Sequence, residues 1–169
     1  KKTMNPGNIY DFSDSKSREE LLKTLTTLKN SGKKIAFTNG CFDILHVGHL
    51  RYLNDTRAAA DFLVIGLNTD ASVRQNKGGS RPVVPQNERA EMLLGLKSVD
   101  MVVYFDEMTP KEIIEFIKPD VLVKGSQYAE NEIVGAAFVQ SYGGKLIRAK
   151  MIEGASTTNI IEKILKAYK

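Results

Sequence analysis

The run Phe62-Leu63-Val64-Ile65-Gly66-Leu67 decides the fold. It has no polar position, so a strand built from it is buried on both faces, as strands of parallel sheets are. Reading outward, the same grammar repeats. Upstream, Ile35-Ala36-Phe37-Thr38 is a short strand, and a helix is expected from about Val47 to Ala60. Downstream, a helix over about Glu88 to Leu96 leads to a strand from Val99 to Phe105. Thr109-Pro110 opens a helix carrying Ile113, Ile114 and Ile117, and Pro119 closes it. Val121-Leu122-Val123 is the next strand. A helix near Glu132 to Tyr142 stops at Gly143-Gly144, and Lys145 to Ala149 is the last strand. Ser156 to Tyr168 is the last helix, with Ile160, Ile161, Ile164, Leu165 and Tyr168 on one side. Residues 70 to 87 are polar, hold Gly78, Gly79, Pro82 and Pro85, and read as a mobile loop. No internal repeat or low-complexity segment is present.

Strands alternating with helices imply a doubly wound α/β sandwich with a parallel sheet of about five strands. At the front, residues 1 to 16 read as a loose arm. Ser17-Arg18-Glu19-Glu20 has the capping-box pattern, Leu21, Leu22, Leu25 and Leu28 follow at helical spacing, and Gly32 ends the helix. The expected division is an N-terminal arm and helix over 1–32 and one α/β domain over 33–169.

Composition narrows the class. The 169 residues fit one domain able to bury a core of its own. Cys41 is the single cysteine, which excludes an internal disulfide and a cysteine-built zinc site. No apolar run reaches the length of a membrane span, and the first residues lack an apolar leader pattern, so a cytoplasmic protein without a membrane role is expected. The net charge of +4 is spread along the chain without a basic block. It suits a small anionic ligand such as a nucleotide or sugar phosphate better than nucleic acid.

In doubly wound folds ligands bind beyond the carboxyl ends of the strands. The first strand there runs into Thr38-Asn39-Gly40-Cys41-Phe42-Asp43-Ile44-Leu45-His46-Val47-Gly48-His49, which holds the only two histidines of the chain. They flank Gly48 where a turn becomes a helix. Helix N-terminal amides attract anions, and two imidazoles beside them can donate to a phosphate oxygen as charge builds on it. The plainer alternative is that one histidine caps the helix and the other packs. A metal site lacks a third histidine or a cysteine cluster, so no protein metal ligand is expected. Asn68 and Asp70 follow the strand 62–67, Lys124 follows 121–123, and Ser156, Thr157 and Thr158 stand where the last helix begins and can cap it.

Gly40 to His49 resembles the G-x-F-D-x-x-H-x-G-H signature of the cytidylyltransferase-like nucleotidyltransferases, and Ser156-Thr157-Thr158-Asn159-Ile160-Ile161 looks like their second element. Finer likeness lies in Asn39 to His46, Ser80-Arg81-Pro82-Val83, Glu88-Arg89, Leu122-Val123-Lys124-Gly125 and Gly154 to Ile161. These stretches resemble the heptose 1-phosphate adenylyltransferases, which make ADP-heptose for bacterial lipopolysaccharide. In many bacteria that domain is fused to a sugar kinase, and this chain resembles the stand-alone form. The resemblance implies a Rossmann-like fold and ATP as substrate. It also implies Mg²⁺ held mainly through phosphates, a sugar-phosphate acceptor, and a possible homo-oligomer.

The resemblance further implies roles. His46 and His49 contact the triphosphate around the transferring phosphorus, while Lys77 and Arg89 are chosen from position and charge as the cations for the leaving pyrophosphate, a solvated surface lysine being the plainer alternative for Lys77. Asn39, Gly40, Cys41, Phe42, Gly48, Lys124, Gly125, Ser156, Thr157 and Thr158 hold the nucleotide, with Lys124 able to serve the sugar phosphate instead. By position, Gln127 faces the acceptor, Asn68 and Asp70 either reach the sugar or only terminate the strand, and Asp43 either serves the site or only braces the turn through backbone amides. Three departures stand out. Related heptose enzymes commonly carry an acidic residue where this chain has Gln127. Met151-Ile152-Glu153-Gly154 stands where cytidylyltransferases place an arginine, which argues against CTP. Cys41 is given no thiol chemistry. The alternatives are a relative using another acceptor or CTP, and a nucleotide-binding module without turnover.

Overall fold

The computed structural model describes residues 6–168. Six parallel strands form one sheet in the order β1-β4-β3-β2-β5-β6. They are β1 (Ile9–Asp11), β2 (Ile35–Gly40), β3 (Phe62–Asn68), β4 (Met101–Phe105), β5 (Val121–Gly125) and β6 (Lys145–Ala149). The helices are α1 (Ser15–Asn30), α2 (Val47–Ala58), α3 (Asp70–Lys77), α4 (Gln86–Gly95), α5 (Lys111–Ile117), α6 (Ala136–Ser141) and α7 (Thr157–Ala167). The chain reverses between β2 and β5, which makes the crevice above those two strands the switch point where ligands bind.

Alternation along each strand builds two cores. Ile35, Phe37, Val64, Met101, Val103 and Leu122 point to the face covered by α1, α5 and α6. Ala36, Leu63, Ile65, Val102, Val121 and Val123 point to the face covered by α2 and α4. The central strand β3 is buried from Leu63 to Asn68, as its unbroken apolar run requires.

Three expectations are corrected. The sheet has six strands, not five, because Ile9–Asp11 pairs with β4 and draws Phe12 into the core. A three-residue strand is too short to carry a period, so the arm reading of residues 6–14 missed it; residues 1–5 lie outside the described ones. Helix α1 is capped by Asp14, whose carboxylate accepts from the Ser17 amide at 2.7 Å. Ser17 instead takes the Asp11 amide on its hydroxyl at 2.8 Å, so the helix begins earlier than its pattern indicated and is capped by Asp14 rather than by Ser17. Residues 70–77 are helical rather than loop. Thr69 caps α3 by accepting from the Ser72 amide, and Gly78, at φ 96°, ends it. Only Ser72 and Val73 of this helix are buried, which is why its sequence shows no apolar stripe.

Candidate functional site

A cavity of about 270 Å³ lies over the carboxyl ends of β2 and β5. Its wall brings together Asn39 and Gly40 from the end of β2, Cys41 and Phe42 just after it, His46, Gly48 and His49 from the turn into α2, Lys124 and Gly125 from the end of β5, Gln127 just after it, and Ser156 and Thr157 from the start of α7. Residues more than a hundred positions apart thus meet as the two motifs required.

The turn before α2 is held under strain. Phe42 and Ile44 adopt left-handed φ of 47° and 49°, which is costly for side chains of this size. Asp43, between them, supplies the restraint. Its fully buried carboxylate accepts from the amides of Val83 and Val84, both at 2.9 Å, and from Arg81 Nε at 2.7 Å. Its backbone carbonyl accepts from Thr157 Oγ1 at 2.5 Å. Burial alone raises the Asp43 pKa, but these donors outweigh it and the net shift is downward. Asp43 therefore braces the turn, the segment before α4 and the start of α7 at one point.

His46 caps α2, its Nδ1 accepting the Gly48 amide at 3.1 Å. Nδ1 being the acceptor, the neutral ring carries its proton on Nε2, which is left as a donor. The plainer reading, a capping histidine, thus holds together with a free donor on the same ring. His49 stacks on His46 with ring centroids 3.9 Å apart and has Phe42 on its other side at 5.4 Å. Burial, and next the His46 charge, pull its pKa down to about 4. Burial also lowers His46. Both rings are neutral donors at pH 7 and gain from a nearby anion. Gly48 is required at this point, because a Cβ there would meet the His46 ring at 2.8 Å and Ala155 Cβ at 3.0 Å.

Ser156 caps α7 through the Asn159 amide at 3.0 Å, so the Thr157 and Thr158 amides remain open at the helix start. The Thr158 side chain is exposed and outside the cavity wall. Lys124 is buried enough for its pKa to fall to about 8, and its ammonium has no carboxylate partner among the described residues. Burial raises the neighbouring Cys41 thiol, which stays protonated and offers Lys124 no counter-ion. The Gln127 carboxamide folds across Gly125, where a Cβ would collide with it. Lys77 is exposed at the end of α3, outside the cavity wall, though near enough for its charge to act on Cys41.

Three expected contacts are placed elsewhere. Arg89 is 1% exposed, and its donors reach Val84 O at 2.9 Å, Cys41 O at 2.6 Å, Asn68 O at 2.9 Å and Asp70 Oδ1 at 2.8 Å. With four of its five N–H donors spent on the protein and its side chain outside the cavity wall, it is a strut beneath the cavity. Asn68 Nδ2 donates to Ser72 Oγ at 2.9 Å and Asp70 is held by Arg89, so neither lines the cavity. A basic residue at a helix start looks alike in sequence whether it faces ligand or backbone carbonyls. Conversely, sequence reasoning missed Tyr52, Tyr128 and Ala155 in the wall and gave Met151 no place there. Tyr52 was findable, since it follows His49 by three residues on α2. Its hydroxyl lies 2.7 Å from Thr38 Oγ1 and donates to Val123 O at 3.2 Å.

The model of the Cytidylyltransferase-like family matches residues 37–163, which takes in both motifs and every wall residue. This chain belongs to the cytidylyltransferase-like family. As a member it is a nucleotidyltransferase. Among its relatives, the bifunctional protein HldE of Syntrophotalea carbinolica is 49% identical over 160 residues, 95% of this chain and 32% of that protein. HldE of Geobacter sulfurreducens is 51% identical over 153 residues, 90% and 31% of the two chains. This cytidylyltransferase-like chain therefore spans about a third of the length of the curated relatives it matches. A solved structure, a lipopolysaccharide core biosynthesis protein from Thermoplasma volcanium, aligns with a TM-score of 0.59 at 27% identity. It covers 72% of this chain and 98% of its own. No helix among the described residues is long and apolar enough to cross a membrane.

Proposed function

We propose that this chain transfers the adenylyl group of ATP to a heptose 1-phosphate, giving ADP-heptose and pyrophosphate in the bacterial cytoplasm. The observation that carries the reading is one cavity in which two neutral stacked histidines, the open amides of α7 and an unpaired Lys124 converge. Those are donors for several phosphate oxygens and an excess of positive charge, with no carboxylate in the wall to repel them. The heptose acceptor is supported by the motif resemblance and by the likeness to HldE and to the lipopolysaccharide core protein.

An acceptor phosphate oxygen forms a bond to the α-phosphorus while the bond from that phosphorus to the bridging oxygen breaks, and pyrophosphate leaves with the electron pair. His46 Nε2 and His49 donate to the oxygens that gain charge. The α7 amides, capped in place by Ser156, orient the triphosphate. No cluster of three or more His, Cys, Asp or Glu side chains able to hold a metal occurs among the described residues. The donor set fits an Mg²⁺ ion carried on phosphate oxygens, where it neutralises charge. A pyrophosphate-release screen of ATP and CTP against sugar and polyol phosphates tests the reading. Release with ATP and heptose 1-phosphate is expected. Preference for CTP, or release only with a non-sugar phosphate, refutes it.

A further inference from the structure

Two polar groups at the carboxyl edge of the sheet have no partner. Asn39 Oδ1 is buried without a hydrogen bond. The Lys124 side chain is half-buried, and its ammonium has no carboxylate partner among the described residues. The register of β2 with β5 sets Phe37 beside Leu122. Extended two residues past that pair, the same register brings Asn39 level with Lys124 on the face of α1, α5 and α6, and both line the cavity. Gly66 of β3 sits beside Asn39, where a Cβ would strike Phe37 and Asn39. The two side chains thus form an acceptor and a donor side by side, and buried groups of this kind are costly unless a ligand completes them.

Lys124 and Tyr128 line both the main cavity and a neighbouring recess of about 150 Å³, whose wall also holds Pro110, Glu132, Ile133 and Val134. Glu132 spends one oxygen on the Ala129 amide at 3.0 Å, which leaves the other to accept. The wall of the recess therefore carries one cation, Lys124, and one exposed carboxylate, Glu132. That polarity orients a ligand with an anionic head and a body bearing hydroxyls. The histidines and α7 stand on the opposite side, toward α2. In-line transfer requires the attacking and leaving oxygens on opposite sides of the phosphorus.

We propose that Asn39 and Lys124 form the subsite for the phosphate end of the acceptor sugar. Lys124 holds the acceptor phosphate. The Asn39 side-chain carbonyl accepts from the hydroxyl on the carbon next to the one bearing that phosphate. The rest of the sugar lies in the recess, its hydroxyls toward Tyr128 and Glu132. This rests on the sugar-phosphate reading above and makes Asn39 a specificity determinant.

The test is steady-state kinetics of the full chain with ATP, heptose 1-phosphate and its 2-deoxy analogue, for the wild type, Asn39→Ala and Asn39→Ser. The alanine variant is expected to raise KM for the sugar phosphate about tenfold, the scale of one lost hydrogen bond in a closed site. KM for ATP should stay within about twofold. On the 2-deoxy analogue the wild type and both variants should perform alike. A shift in KM for ATP instead, or equal use of both sugars by the wild type, overturns the assignment. If the wild type turns over no sugar phosphate, the functional reading fails by itself. Calorimetric titration of heptose 1-phosphate into wild type and Lys124→Ala then decides the subsite: binding lost in the variant supports it, and unchanged or undetectable binding in both refutes it. Melting temperatures and ATP binding of each variant identify any that fail to fold.

Discussion

At the scale of single residues, the site works through groups held in uncharged or unpaired states. His46 and His49 illustrate this, since burial keeps both neutral and their stacking opposes double protonation. His46→Ala and His49→Ala should each lower kcat by ~10²-fold, the scale of one lost transition-state donor. Near-normal turnover in both would remove them from the mechanism. Lys124 has the opposite problem, a charge that burial disfavours, with a pKa near 8. Its ammonium is present below that pH and is lost as pH rises through it. KM for the sugar phosphate should therefore climb above pH 8, while the acceptor's own phosphate, already fully ionised there, contributes nothing. In Lys124→Met the slope should vanish; a slope that persists would place the titrating group elsewhere.

At the scale of elements, the segment between β3 and α4 departs most from its reading as a mobile loop. Its first half is α3, and its second half is pinned to the histidine turn through Asp43. Amide exchange at Val83 and Val84 should be slow even without nucleotide. Rapid exchange there would restore the reading of a mobile loop. The depressed Asp43 pKa gives the brace a pH sign. Its contribution is complete above the ordinary aspartate range and is lost as pH falls through the lowered value. Asp43→Asn leaves Arg81 without its counter-charge and should cost about 3 kcal/mol. Its denaturant midpoint should also depend less on acid than that of the wild type. An unchanged midpoint would show that the strained turn at Phe42 and Ile44 stands without this brace.

At the scale of the whole molecule, the first described residues complete the sheet rather than trail from it. Ile9–Asp11 covers the open edge of β4, and Phe12 is 3% exposed against Phe116 at 5.3 Å. Phe12→Ala should cost about 3–5 kcal/mol, the usual penalty for emptying a phenylalanine site. For a domain of this size that is a fall in Tm of roughly 10 °C. KM for both substrates should be unaffected, because β1 lies at the far edge from the cavity. A change in KM with no change in Tm would mean that this edge communicates with the site.

The sequence by itself determined the elements long enough to carry a period and the places where they end. The apolar run of β3 could only be buried on both faces, so a parallel doubly wound sheet followed. The chemistry concentrated after β2, after β5 and before α7 because ligands in such sheets meet the carboxyl ends of strands. Tertiary structure decided which polar groups line the cavity and which face the protein. Arg89, Asn68 and Asp70 satisfy one another and the backbone, because a buried donor takes the nearest free carbonyl whatever its motif suggests. Asn39 Oδ1 was left unsatisfied and Lys124 without a carboxylate, facts that exist only once β2 and β5 stand side by side. Short elements fell to the tertiary level as well. β1 and α3 carry too few buried residues to write a pattern, and they exist because β4 offered an open edge and Thr69 a cap.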